Sequence, residues 1–126
     1  MIDSNAVIIF PMDQKLKILF VCTVNRMRSA TAQVVFKADP RFEVRSAGTD
    51  KNANVVLSEE LLNWANVIVV MEKHHRNFIR GKFSGIYDSK RIVCLYIQDD
   101  YEFMQPELIA ILKDRVESAY NKGLLS

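Results

Sequence analysis

The sequence predicts an α/β fold, a three-layer sandwich in which a four-stranded parallel sheet is flanked by helices on both faces. Three observations carry this expectation. Short runs at 17–21, 41–46, 66–71 and 91–96 are rich in β-branched or aromatic residues, and each leads toward a segment with helical caps or spacing. The third run, Val67–Ile68–Val69–Val70–Met71, is continuously apolar, the mark of a strand covered on both faces. Strands alternating with helices close into a parallel sheet through right-handed crossovers, and ligands of such sheets sit beyond the carboxyl ends of the strands.

Taken in order, residues 1–14 precede the first of these strands, and Val7–Phe10 reads either as an added edge strand or as a loosely held tail. The N-terminus lacks a basic start and a cleavage pattern, so it does not read as a signal peptide. Lys17–Val21 is the first strand, and Ser29–Phe36 the first helix, with Ser29 near its cap. Asp39–Pro40 marks a turn into Arg41–Ser46, where apolar and charged residues alternate as on a half-buried strand. After the polar loop 50–54, Ser58 caps a helix with Glu59 and Glu60 in its first turn. Residues 72–80 are expected to be helical and to stop at Gly81. Pro106 and Glu107 open the last helix, whose buried stripe is Leu108, Ile109, Ile111, Leu112 and Val116.

Composition narrows the classes of function. A chain of 126 residues is long enough for one domain with a real core. Seventeen basic residues against 15 acidic ones, a formal net charge of +2, argue for neither nucleic acid nor a membrane surface as partner. No run approaches the ~20 apolar residues needed to span a bilayer. Cys22 and Cys94 make neither a metal spacing nor a disulfide framework, which suits a reducing, cytoplasmic compartment. His74 and His75 are adjacent on the expected helix and should point in different directions, so no metal site is expected.

The chemistry concentrates at Cys22–Thr23–Val24–Asn25–Arg26–Met27–Arg28–Ser29, where a strand turns directly into a helix. The helix N-terminus offers free N–H groups and a favourable dipole to an anion. Cys22 opens this turn and Arg28 closes it, so a thiol and a guanidinium face one anion site. The successive N–H groups of Thr23 to Ser29 form a nest, and a guanidinium can grip two phosphoryl oxygens at once. Thiolate is the nucleophile, and helix N-termini with adjacent cations favour it. Ser29 is placed to donate a hydrogen bond to the Cys22 sulfur. The blander reading of Cys22 is a small buried hydrophobe at a strand end.

These residues resemble the phosphate loop of the low-molecular-weight protein tyrosine phosphatases, V-C-x-G-N-x-C-R-S. Ser46–Ala47–Gly48–Thr49, Val69–Val70–Met71–Glu72–Lys73 and Ile97–Gln98–Asp99–Asp100–Tyr101 agree with that family in order, so the resemblance runs from about Leu16 to the last helix. It is closest to short bacterial members. It implies an N-terminal extension over 1–14, a phosphatase-like domain over 15–126, and a phosphatase acting through a phosphocysteine at Cys22, with no metal and no cofactor. Cys22, Arg28, Ser29 and Asp99 are then catalytic. Thr23, Val24, Asn25, Arg26 and Met27 bind phosphate, and Tyr101 flanks the pocket. Asp99 falls at the family's general-acid position, with Asp100 as the alternative acid; the pair also reads as a solvated turn. The implied substrate is phosphotyrosine on protein, or a small phosphate ester; the oligomeric state stays open.

Three departures stand out: Val24 where the family has Gly, Met27 where it has a second Cys, and Ala30 where it often has Pro. A Gly at 24 adopts positive φ freely, whereas a β-branched residue resists it. This keeps a non-catalytic phosphate-binding module open as an alternative, along with a cysteine phosphocarrier. An arsenate reductase ranks below both, because Met27 removes the nearby thiol that would resolve an arseno-thiol.

Overall fold

The computed structural model describes residues 15–126, so the readings of Val7–Phe10 and of 1–14 lie outside the described residues. Four parallel strands, β1 (Leu16–Cys22), β2 (Phe42–Gly48), β3 (Val67–Val70) and β4 (Arg91–Cys94), form one sheet in the order β2-β1-β3-β4. Helices α1 (Arg28–Phe36), α2 (Glu59–Trp64), α3 (Lys73–Lys82), α4 (Ser84–Ser89) and α5 (Pro106–Asn121) connect and follow them. No described helix is long and apolar enough to cross a membrane.

The two-residue period of a strand divides the core into two layers. From β1, Ile18, Phe20 and Cys22 face one layer, and Leu19 and Val21 the other. From β3, Val67, Val69 and Met71 join the first layer, and Ile68 and Val70 the second. Helices α1 and α5 cover the first layer with Ala32, Phe36, Leu108, Leu112 and Val116, while Leu62 of α2 and Ile79 of α3 cover the second. Each fully buried Val, Leu, Ile or Phe contributes roughly 1.5–3 kcal/mol. Both central strands are therefore pinned in register, because a slip of one residue would exchange the layers.

Several boundaries differ from the sequence expectation. Gly81 does not stop α3 but lies inside it, and the separate short helix α4 follows from Ser84, with Phe83 between the two. Strand β2 extends to Gly48, and β4 ends at Cys94. Beyond β4 the chain still runs alongside the sheet, with Leu95 N–H donating to Val70 O at 2.9 Å and Ile97 N–H to Met71 O at 2.8 Å. On α5 the fully buried line is Leu108, Leu112, Val116 and Ala119, whereas Ile109 and Ile111 are half-buried at its flanks. The Ser58 cap forms as expected, its Oγ accepting from Leu61 N–H at 3.2 Å.

Candidate active site

The carboxyl ends of all four strands meet at one edge, and the chain from Cys22 to α1 loops across it. Four successive carbonyls of this loop face away from its hollow. Cys22 O accepts from Thr49 N–H at 3.0 Å, Thr23 O from Asp50 N–H at 2.9 Å, and Val24 O from Asn54 N–H at 3.1 Å. Asn25 O accepts from Asn54 Nδ2 at 3.0 Å. In a planar trans peptide the N–H lies opposite the carbonyl, so carbonyls turned out leave the amides turned in. Among the described residues none of the N–H groups of 23–29 has an acceptor. The carbonyl orientation turns the amides of Thr23 to Arg26 toward the hollow, and the 49–54 turn holds this part of the loop.

The left-handed residue of the loop is Asn25, at φ 58°, and Val24 is not among the residues of positive φ. Asn tolerates this region far better than a β-branched residue. The absence of Gly at 24 therefore imposes no backbone strain there. Asn25 is buried, and its Nδ2 donates to Ser29 Oγ at 2.8 Å, which closes the turn. Behind the loop, space is the constraint. A Cβ on Gly48 would lie 2.4 Å from Thr23 O and 2.7 Å from Ala53 Cβ.

Ser29 does not cap α1; the N-cap is Met27, with no side-chain cap bond. The hydroxyl is recruited inward instead, 2.9 Å from Cys22 Sγ. It already accepts from Asn25, and its other acceptor, Ala47 O, is more distant at 3.4 Å. With a thiolate at Cys22 the hydroxyl would be the donor of this bond, since a thiolate can only accept. Cys22 is buried, with 2% of its surface exposed.

Arg28 is as deeply buried. Its Nη1 donates to Glu72 Oε2 at 2.5 Å and to Ile97 O at 2.8 Å. Its Nε is buried without a hydrogen-bond partner. Asp99 Oδ1 lies 3.7 Å from that nitrogen, near enough for charge attraction but too far for a hydrogen bond. One corner of the guanidinium is fixed, and the Nε–Nη2 edge has no acceptor among the described residues. A tetrahedral oxyanion could take that edge with two oxygens.

Glu72 and His75 support this pair, and the sequence does not single out their contacts. Burial pushes the Glu72 carboxyl up, but the bond and charge of Arg28, with His74, outweigh it and hold the carboxyl below its ordinary value. Glu72 N–H donates to His75 Nδ1 at 3.0 Å, so the ring proton sits on Nε2 and is given to Thr23 Oγ1 at 2.9 Å. Burial, then the charges of His74 and Arg28, lower His75 from 6.5 to about 3. The histidine is neutral and structural. Glu72 is legible in principle, being the carboxylate that follows the buried strand β3 at the ligand edge. Asn54 and Gly48 carry no comparable signal.

The other named residues fall as follows. Asp99 is exposed at the mouth beside Arg28, and Asp100 is exposed next to it. Tyr101 is half-buried and packs on the first core layer, and Met104 N–H, donating to Thr31 Oγ1 at 2.9 Å, ties this loop to α1. Arg26 is exposed and lies back on the tether, its Nε 3.3 Å from Asn54 Oδ1. Met27 is half-buried at the helix cap. Cys94 pairs with Val70, which pairs with Val21, so it stands two strands away at ~10 Å, beyond disulfide reach of Cys22.

The expectation that His74 and His75 diverge is corrected: their rings lie side by side, centroids 4.0 Å apart. With Glu72 they bring three potential metal-ligand atoms within 4.8 Å of one another. Both His75 nitrogens are already used by Glu72 N–H and Thr23 Oγ1, and Glu72 Oε2 by Arg28, so this donor set does not fit a metal.

No protein-family model matches the chain, and a search of characterised proteins finds no relative by sequence. Its fold, by contrast, is shared along nearly the whole chain with solved structures. YwlE arginine phosphatase from Geobacillus stearothermophilus superposes with a TM-score of 0.64 and 23% identity, over 87% of this chain and 96% of that one. SP-PTP, a low molecular weight protein tyrosine phosphatase from Streptococcus pyogenes, gives 0.67 and 16%, over 84% and 92%. Wzb from Vibrio vulnificus, in complex with benzylphosphonate, gives 0.67 and 20%, over 85% and 98%. The chain has the three-layer α/β fold of the low-molecular-weight phosphatases.

Proposed function

We propose that this protein is a phosphatase that hydrolyses phosphate monoesters through a phosphocysteine at Cys22. One observation carries the reading. The buried Arg28, six residues after Cys22 on the same loop, is held at one corner by Glu72 and Ile97 O, while its Nε–Nη2 edge, like the N–H groups of 23–29, has no acceptor among the described residues. Such an array matches charge spread over the equatorial oxygens of a transferring phosphoryl group.

In the first step Cys22 Sγ attacks phosphorus, the P–S bond forms, and the P–O bond to the leaving group breaks. Asp99 gives its proton to the departing oxygen. In the second step Asp99 takes a proton from water, the water oxygen attacks phosphorus, and the P–S bond breaks to release phosphate and thiolate. The exposed position of Asp99 beside Arg28 supports this role over that of a phosphocarrier, which has no need of an acid there. The substrate class we favour is phosphotyrosine on protein, with small phosphate esters as the alternative, and two free thiols suit the cytoplasm. Because the Geobacillus neighbour is named an arginine phosphatase, phosphoarginine belongs in the assay panel.

The test is steady-state turnover of aryl and alkyl phosphates. Cys22→Ser is expected to lose at least ~100-fold in kcat. Asp99→Asn should slow substrates with basic leaving groups by about 10²–10⁴-fold and hardly affect strongly electron-poor aryl phosphates. Asp100→Asn should cost little with either. Near-normal turnover by Cys22→Ser removes the phosphocysteine; exchanged leaving-group patterns make Asp100 the acid.

A further inference from the structure

A second concavity, of about 420 Å³, lies between the turn that tethers the Cys22–Ser29 loop and the flank of α3, lined by Thr49, Asp50, Lys51, Leu57, Phe78 and Lys82. Its near wall backs onto the Cys22–Ser29 loop, since the backbone N–H groups of Thr49 and Asp50 hold Cys22 O and Thr23 O. Its floor is apolar, and Val55 and Val56 extend it with side chains 45% and 44% exposed. Its rim is cationic: Lys82 Nζ stands 5.6 Å from the Phe78 ring and 5.8 Å from the Phe83 ring, and Lys51 is exposed opposite. The one carboxylate of the lining, Asp50, already accepts from Asn52 N–H at 2.7 Å.

Resting on the phosphatase reading above, we propose that this groove receives the polypeptide flanking the phosphorylated residue and selects substrates with an acidic side chain about three residues from it. The spacing follows from α3. His75 touches the catalytic loop through Thr23, and Lys82 is seven residues further along the helix, ~10 Å at 1.5 Å per residue. An extended peptide covers that distance in about three residues. An apolar floor with two cations at its rim suits a peptide that presents an apolar side chain and a carboxylate. A small phosphate ester would leave the groove empty.

The experiment measures binding of phosphotyrosine peptides to the Cys22→Ser protein. The peptides carry Glu three residues before the phosphotyrosine, Glu three residues after it, or Gln at both positions. One Glu peptide is expected to bind about three- to tenfold tighter than the Gln peptide, and the preference should vanish in the Lys51→Glu/Lys82→Glu protein. In the Cys22 enzyme the same double substitution should leave kcat/KM for a small aryl phosphate within about twofold, which also shows that the variant folds. Absence of a Glu preference, or its survival in the double variant, overturns the groove's role. A concentration-dependent dimer that the double variant loses assigns the groove to self-association, and overturns it too. If aryl phosphate is not turned over at all, the phosphatase reading fails, while the binding measurement still judges the groove.

Discussion

His75 joins two elements through one neutral ring, accepting from Glu72 N–H on one nitrogen and donating to Thr23 Oγ1 from the other. That arrangement requires the ring to stay unprotonated in the folded protein, and burial, then the charges of His74 and Arg28, lower it from 6.5 to about 3. Between these values the unfolded chain binds the proton and the native one does not, so stability falls as pH falls from about 6.5 toward about 3. Each tenfold difference in proton affinity between the two states is worth ~1.4 kcal/mol, so the accumulated loss is on the order of a few kcal/mol. Urea unfolding at pH 7, 6, 5 and 4 should show this decline, and His75→Gln should flatten it; an unchanged slope in the variant would assign the acid lability elsewhere. Glu72 acts in a lower window. Its carboxyl is held below 4.5, so its stabilisation is present above that value and is lost only as pH falls through the lowered one.

The Cys22–Ser29 loop is only as firm as the turn behind it. Every carbonyl from Cys22 to Asn25 is held from 49–54, and Gly48 lets the two segments approach closely enough for this. Gly48→Ala would set a methyl 2.4 Å from Thr23 O, a backbone atom that cannot step aside without breaking the bond from Asp50. The variant is expected to lose roughly 1–3 kcal/mol in stability and, because displaced amides no longer converge, about tenfold or more in kcat/KM. Thermal unfolding together with turnover checks both; an unperturbed Ala variant would show that the turn does not hold the loop. This contact also marks where a reading of the sequence stops. The strands, the Ser58 cap and the strand-to-helix turn at 22–29 are legible because each is written in neighbouring residues. The tether from 49–54, the Arg28–Glu72 pair and the Thr23–His75 bond join positions far apart in the chain, and no local pattern encodes them. Ser29 has the residue type of a cap, but the sulfur outcompetes the helix terminus for its hydroxyl. Gly81 has the residue type of a stop, but an exposed helix position tolerates one glycine for about 1 kcal/mol.

At the scale of the whole molecule, the order β2-β1-β3-β4 places β1 between two neighbours, so its last residue, Cys22, emerges at the middle of the sheet edge. Everything the site uses converges there from the loops that follow the strands, while Cys94 stays on the outer strand. The amides of 23–29 and the open edge of Arg28 have a further effect that concerns no substrate. They are unpaired donors, positive poles gathered on one short loop, and the fold keeps them together with the exposed Asp99 carboxylate, 3.7 Å from Arg28 Nε, as partial compensation. Any small tetrahedral dianion pairs those donors in the native state and finds no equivalent in the unfolded chain, so it raises the melting temperature by mass action. At a hundred times its dissociation constant the gain is about 2.7 kcal/mol, on the order of 10 °C for a protein of this size. Scanning calorimetry in inorganic phosphate against chloride of matched ionic strength should show the rise, and Arg28→Met should abolish most of it; equal melting points in the two salts would mean the hollow is not poised for an anion. Where phosphate is abundant, the buffer itself then acts as the last member of the core.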